Sequence, residues 1–70
     1  MKTNEQTKRD YLYAFEAEFT AMCKAAGISA NRWSQGMWAN AHMHHRQGTS
    51  VKEGVEKWFE RVSTRHIIDK

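Results

Sequence analysis

Two glycine-led clusters, Gly27-Ile28-Ser29 and Gln47-Gly48-Thr49-Ser50, divide a chain that contains no proline into three uninterrupted stretches, each long enough for a helix. Glycine reaches the left-handed backbone conformation that ends helices, whereas proline, the residue that breaks a helix from within, occurs nowhere in the chain. No segment is of low complexity and none repeats another. The 70 residues therefore read as one helical domain, residues 1–70, with no linker.

The first stretch places Leu12, Phe15, Phe19, Met22 and Ala26 at alternating three- and four-residue steps, which lays them along one helix face. Tyr11 and Cys23 border that stripe, while Glu16, Glu18, Thr20 and Lys24 fall off it. The spacing predicts a continuous helix over residues 4–26, ended by Gly27. The second helix, over residues 30–46, is led by Ser29, whose hydroxyl can accept a hydrogen bond from an orphan N–H at the helix start. Ile28 and Trp33 are spaced as a hydrophobic staple across that start. Trp33, Met37, Ala41 and His44 share its inner face with Ala30 beside them, and the interior Gly36 predicts close approach of a neighbouring backbone.

The third helix, over residues 51–66, opens on the capping-box pair Ser50 and Glu53 and carries Val51, Val55, Trp58, Phe59, Val62 and His66 on a narrow apolar face. Glu53 and Lys57 stand one turn apart in the favourable acid-before-base order, and Lys52, Glu56, Glu60 and Arg61 mark a solvated side. Ile67 and Ile68 follow, either folding back as a plug or staying open to a partner.

Amphipathic helices joined by short turns can bury their stripes only against one another, so the expected fold class is all-α, a compact three-helix bundle. Phe15, Phe19, Trp33, Trp58 and Phe59 would supply most of its core. A chain this short buries only about 60% of its unfolded surface, and such chains usually lean on a disulfide, a metal or a partner. Cys23 is the only cysteine, which excludes an intrachain disulfide and gives no sign of an oxidising compartment. The opening MKTNEQTKRDYLYAF has no apolar run long enough for a signal-peptide core, and no window approaches a membrane span. The expected location is cytoplasmic, with no membrane partner.

The formal charge is +3, but its distribution is more informative than its sum. Carboxylates occur at Glu5, Asp10, Glu16 and Glu18 and again at Glu53, Glu56, Glu60 and Asp69, leaving Phe19 through Lys52 without one. That interval holds Lys24, Arg32, Arg46 and Lys52 with His42, His44 and His45, so contacts with phosphates or carboxylates are expected in the middle of the chain.

Catalytic arrangements are not expected. His42 and His45 lie one helical turn apart, yet a structural zinc site needs four ligands and the sequence offers no second pair, so no metal and no other cofactor is predicted. His44 falls on the core side, where burial would keep it neutral as a hydrogen-bonded packing residue. Cys23 beside an apolar stripe behaves as a small hydrophobe with a raised pKa, and there is neither a glycine-rich phosphate loop nor a nucleophile with an orienting partner. No enzymatic role and no small-molecule substrate follow from these residues.

Phe19 through Met37, FTAMCKAAGISANRWSQGM, resembles the helix-turn-helix unit of small DNA-binding regulators: Cys23, Gly27, Ile28 and Trp33 occupy its small, glycine and two apolar positions. The resemblance spans about a quarter of the chain; Gly36 stands where the family has an apolar anchor, and the first helix runs on toward the N-terminus where the family has a separate short one. It implies a recognition helix presenting Asn31, Arg32, Gln35, His42 and Arg46 to base edges or phosphates.

The same helix carries few charges, and Trp38 and Met43 extend its apolar character beyond the inner face. Tryptophan and methionine are enriched in protein interfaces. The sequence is thus read as a small non-enzymatic interaction protein, an adaptor or inhibitor of a kind that mobile elements also carry. It would bind a larger protein or itself through Trp38, Met43, His45 and Arg46, the alternative being a DNA-binding regulator that uses the same helix.

Overall fold

The computed structural model describes the backbone of residues 4–69 and the side chains of residues 8–68. Over these residues the chain forms α1 (Asn4–Ala26), a 3-10 turn (Ala30–Trp33), α2 (Ser34–Gln47) and α3 (Val51–Asp69), and no strand. The three helices pack on one another as an all-α three-helix bundle. None of the described helices is long and apolar enough to cross a membrane.

Both turns are built on glycine in the way the sequence implies. Gly27 and Gly48 have φ of 75° and 79°, the left-handed region that other residues enter at a cost. Ile28 N–H donates to the Cys23 carbonyl at 2.9 Å and Gly27 N–H to that of Lys24 at 3.3 Å. Thr49 N–H donates to the His44 carbonyl at 3.0 Å and Gly48 N–H to that of His45 at 3.2 Å. Each pair of bonds is a Schellman closure, which satisfies carbonyls that a helix end would otherwise leave free. At the first closure Ile28 and Cys23 are both buried, adding the apolar contact that usually accompanies the motif.

These turns send α2 back along α1 and α3 back along α2. The Tyr11 hydroxyl donates to the Thr49 carbonyl near the start of α3, and farther along α1 the Phe19 ring lies 6.1 Å from Trp58 and 6.4 Å from Phe59. α1 and α3 therefore run the same way, with α2 antiparallel to both. Phe15, Phe19 and Cys23 from α1, Met37 and Ala41 from α2, Val55, Trp58 and Val62 from α3, and Ile28 from the first turn make the core.

Four local expectations are corrected. The buried stripe of α1 runs Phe15, Phe19, Cys23 at four-residue steps, with Leu12 and Met22 at its edges and Ala26 exposed, because Cys23 rather than Ala26 faces the other helices. The second helical stretch starts as a 3-10 turn, and Ser29 makes no side-chain capping bond although its backbone is extended as a cap requires. α3 continues to Asp69, so Ile67 and Ile68 do not fold back as a plug; they are 68% and 69% exposed. Gly36 does admit a close neighbour, but it is a side chain: a Cβ there would stand 2.7 Å from Cη2 of Trp58. The predicted α3 cap is present in the bond from Glu53 N–H to Ser50 Oγ at 3.2 Å.

Candidate interaction surface on the central helix

The side chains of α2 sort into an inner face, an outer face and two flanks. Met37, Ala41 and His44 are buried, and Gln35, Ala39, His42 and Arg46, spaced by four, three and four residues, are exposed. Asn31 and Arg32 are exposed on the preceding 3-10 turn, where the Arg32 guanidinium lies 5.5 Å from the centroid of the Trp33 ring. All five residues proposed to meet nucleic acid thus reach the surface. They do not form one cluster: His42 and Arg46 gather at the end of α2, while Asn31 and Arg32 sit at its start.

On the α1 flank, Trp38 and His45 are half-buried and seven residues apart, hence on the same side of the helix. Tyr11 meets His45 edge-on with centroids 5.3 Å apart. Burial, and then the nearby Glu53 carboxylate, push the Tyr11 phenol above its ordinary pKa, which keeps its hydroxyl a donor. Lys8, His42, His45 and Arg46 line a depression of about 440 Å³ whose described walls carry no carboxylate. On the opposite flank Met43, also half-buried, lines a depression with Lys57, Trp58, Glu60 and Arg61 of α3. Of the four residues proposed for a partner, His45 and Arg46 therefore share one wall, Trp38 lies on the same flank nearer the start of α2, and Met43 stands apart.

Folding also alters the charge picture. The carboxylate-free interval of the sequence meets Glu16 of α1 beside Asn31 and Ser34, and Glu60 of α3 beside Met43. The depression at the end of α2 is lined by basic groups alone among the described residues, while Glu53 lies close enough to act on His44 and on Tyr11. Glu5 and Asp69 are among the residues whose side chains are not described.

His44 is 5% exposed and stacks on Phe15 at 6.2 Å. Burial, reinforced by the Lys57 ammonium and opposed by Glu53, lowers its pKa, so it is a neutral packing residue. Its Nδ1 is buried with no partner among the described residues, so the expected hydrogen bond is not made at that nitrogen. Cys23 is fully buried and its thiol is pushed up by desolvation. No group of three or more His, Cys, Asp or Glu among the described residues is placed to hold a metal ion.

Two features escaped the sequence reading. Gly54 is buried where a Cβ would lie 3.0 Å from Phe15 Cε2 and 3.1 Å from His44 Cγ, so it too is a packing position. Lys57, Arg61 and Arg65 form a cationic row at four-residue steps whose spacing was visible; that α2 faces it across a groove was not. No family model, curated protein or solved structure matches this chain.

Proposed function

We propose that the protein is a small non-enzymatic interaction module, of adaptor or inhibitor type, that docks onto a larger protein through α2 with Trp38, Met43, His45 and Arg46 in the contact. The observation that carries this reading is the make-up of the outer side of that helix. Every exposed position on it, Gln35, Ala39, His42, Arg46 and Gln47, lacks a carboxylate, and half-buried Trp38 and Met43 bound it on either flank. Half-buried aromatic and thioether groups at the edges of a carboxylate-free polar face suit a protein interface. Lys8 and Arg46 on the rim favour a partner that places carboxylates around an apolar patch.

The second reading, a DNA-binding regulator using the same helix, is favoured by the exposure of Asn31, Arg32, Gln35, His42 and Arg46 together. Two observations weigh against it: the Glu16 carboxylate lines the same depression as Asn31, and residues 30–47 supply only the guanidinium groups of Arg32 and Arg46. With so few phosphate contacts the salt dependence would be shallow, about 0.9 in logarithmic slope for each.

The test is affinity capture from the native extract with wild-type protein and with Trp38→Ala/Arg46→Ala, each with and without nuclease. A protein held by the wild type, lost from the variant and indifferent to nuclease is the expected result; truncation at such sites typically costs about 1–2 kcal/mol or more each. Equal retention by both proteins would refute docking through these residues. Loss of the captured material on nuclease treatment, with binding weakened by Arg32→Ala, would transfer the assignment to nucleic acid.

A further inference from the structure

The seam between α2 and α3 carries a groove that the proposed docking face shares only at Met43. Two adjoining depressions, about 340 and 320 Å³, meet at Asn40, Trp58 and Arg61. Gly36, Asn40 and Met43 form the α2 wall, and Lys57, Arg61 and Arg65 form the α3 wall. Trp33 and Trp58, edge to face at 6.5 Å, line its first half.

Gly36 lets the Trp58 ring pack beneath α2 as the floor of this groove. A Cβ there would lie 2.7 Å from Cη2 and 3.0 Å from Cζ2 of Trp58, so only a residue without a side chain lets the indole lie beneath α2. Asn40 Nδ2 donates back to the Gly36 carbonyl at 2.9 Å, which holds that amide against its own helix. The indole Nε1 groups of Trp33 and Trp58 are buried without an acceptor among the described residues. What the groove presents of the two indoles is therefore their apolar ring surface rather than their N–H groups.

The charges of the α3 wall point to the ligand. Lys57 is partly committed to Glu53, at 4.0 Å between exposed side chains, and Glu60 adds one negative charge at that end. Arg61 and Arg65 are exposed and make no ion pair with any described residue. They stand one helical turn apart, about 6 Å along the axis, above an aromatic floor. Guanidinium groups pair with carboxylates in a fixed fork, and an indole floor takes an apolar or aromatic side chain.

We infer that the α2–α3 groove, walled by Arg61 and Arg65 over Trp33 and Trp58, is a docking site for an acidic linear peptide segment of a partner, with one apolar anchor residue on the indoles and carboxylates on the two arginines.

The probe is a fluorescein-labelled peptide of about 12 residues with glutamate at every fourth position and leucine or phenylalanine between, read by fluorescence anisotropy. Its lysine-for-glutamate counterpart and a labelled duplex oligonucleotide serve as comparisons. The acidic peptide should bind, and the exposed-site variant Arg61→Glu/Arg65→Glu should lose at least about tenfold in affinity while keeping the wild-type circular dichroism spectrum. Arg32→Ala/Arg46→Ala should leave peptide affinity within about twofold, so failure of this site and failure of the outer-face docking are told apart. The inference is overturned if the acidic peptide does not bind, if the charge reversal leaves its affinity unchanged, or if the oligonucleotide is the ligand whose binding depends on Arg61 and Arg65.

Discussion

The two seams that α2 makes with its neighbours are closed by opposite means. Against α1 the contact is built from side chains that are present: Met37 and Ala41 pack with Phe15, Phe19 and Cys23, and Tyr11 reaches across to Thr49 and to the His45 ring. Against α3 it depends on side chains that are absent. Gly36 gives room to the tip of Trp58, and Gly54 on α3 gives room to His44 of α2 and Phe15 of α1. A seam of the first kind is specified by filling space, one of the second by leaving it, and the second kind leaves aromatic edges and a groove at the surface. The turn glycines differ from both, since a Cβ at Gly27 or Gly48 would meet nothing within 4 Å and only their positive φ calls for glycine.

The largest effect that would break the α2–α3 seam comes from emptying it. Trp58→Ala removes the ring that fills the space over Gly36 and should cost about 3–5 kcal/mol, a large part of what a domain this small possesses. Urea unfolding followed by circular dichroism should show the variant largely unfolded at room temperature. A midpoint close to that of the wild type would mean that the seam does not depend on this ring.

Overfilling should do less. Gly36→Ala gains about 1 kcal/mol in helix propensity but drives a methyl group to 2.7 Å from Trp58, an overpacking that typically costs about 1–3 kcal/mol. The expected net is destabilisation of up to about 2 kcal/mol. Adding Trp58→Phe should recover part of it, so that the double variant is more stable than the sum of the singles predicts. Strict additivity in a urea-midpoint cycle would show that the two positions are not coupled.

The smallest effect is a pH dependence at the junction of the seams. His44 has a lowered pKa in the folded chain, so as pH falls the unfolded chain takes up a proton first, near the ordinary histidine value of about 6.5. The stability contributed by neutral His44 is complete above that pH, declines as pH falls from it toward the folded pKa, and changes no further below. Urea midpoints between about pH 7.5 and pH 5 should show this slope, and His44→Leu should lose it. An identical slope in the variant would place the titration elsewhere.

Much of the fold was legible because it rests on local chemistry. The end of α1 at Gly27, the start of α3 at Ser50 and Glu53, and both glycine closures follow from periodicity and capping, which neighbouring residues decide between themselves. Ser29 shows the limit of that reasoning: a good capping residue in the right backbone conformation makes no capping bond, because the chain beyond it turns as a 3-10 segment before α2 begins. The candidate surface was legible only in part. His42 and Arg46 could be placed on an exposed face by spacing, whereas Trp38 and Met43 are half-covered by helices far away in sequence. The run from Phe19 to Lys52, free of carboxylates on paper, acquires Glu16 and Glu60 as neighbours once the helices dock.

By itself, then, the sequence determined that this chain is three helices with two left-handed glycine stops and one stripe on each helix to bury, since those features depend on residues within a turn or two of each other. The tertiary structure alone decided that Cys23 rather than Ala26 lies inside, that Gly36 and Gly54 are contact surfaces, and that Arg61 and Arg65 wall a groove. Burial and electrostatic environment are properties of what comes near in space, and a side chain's neighbours across a seam are set by the packing of whole helices rather than by the residues beside it in the chain.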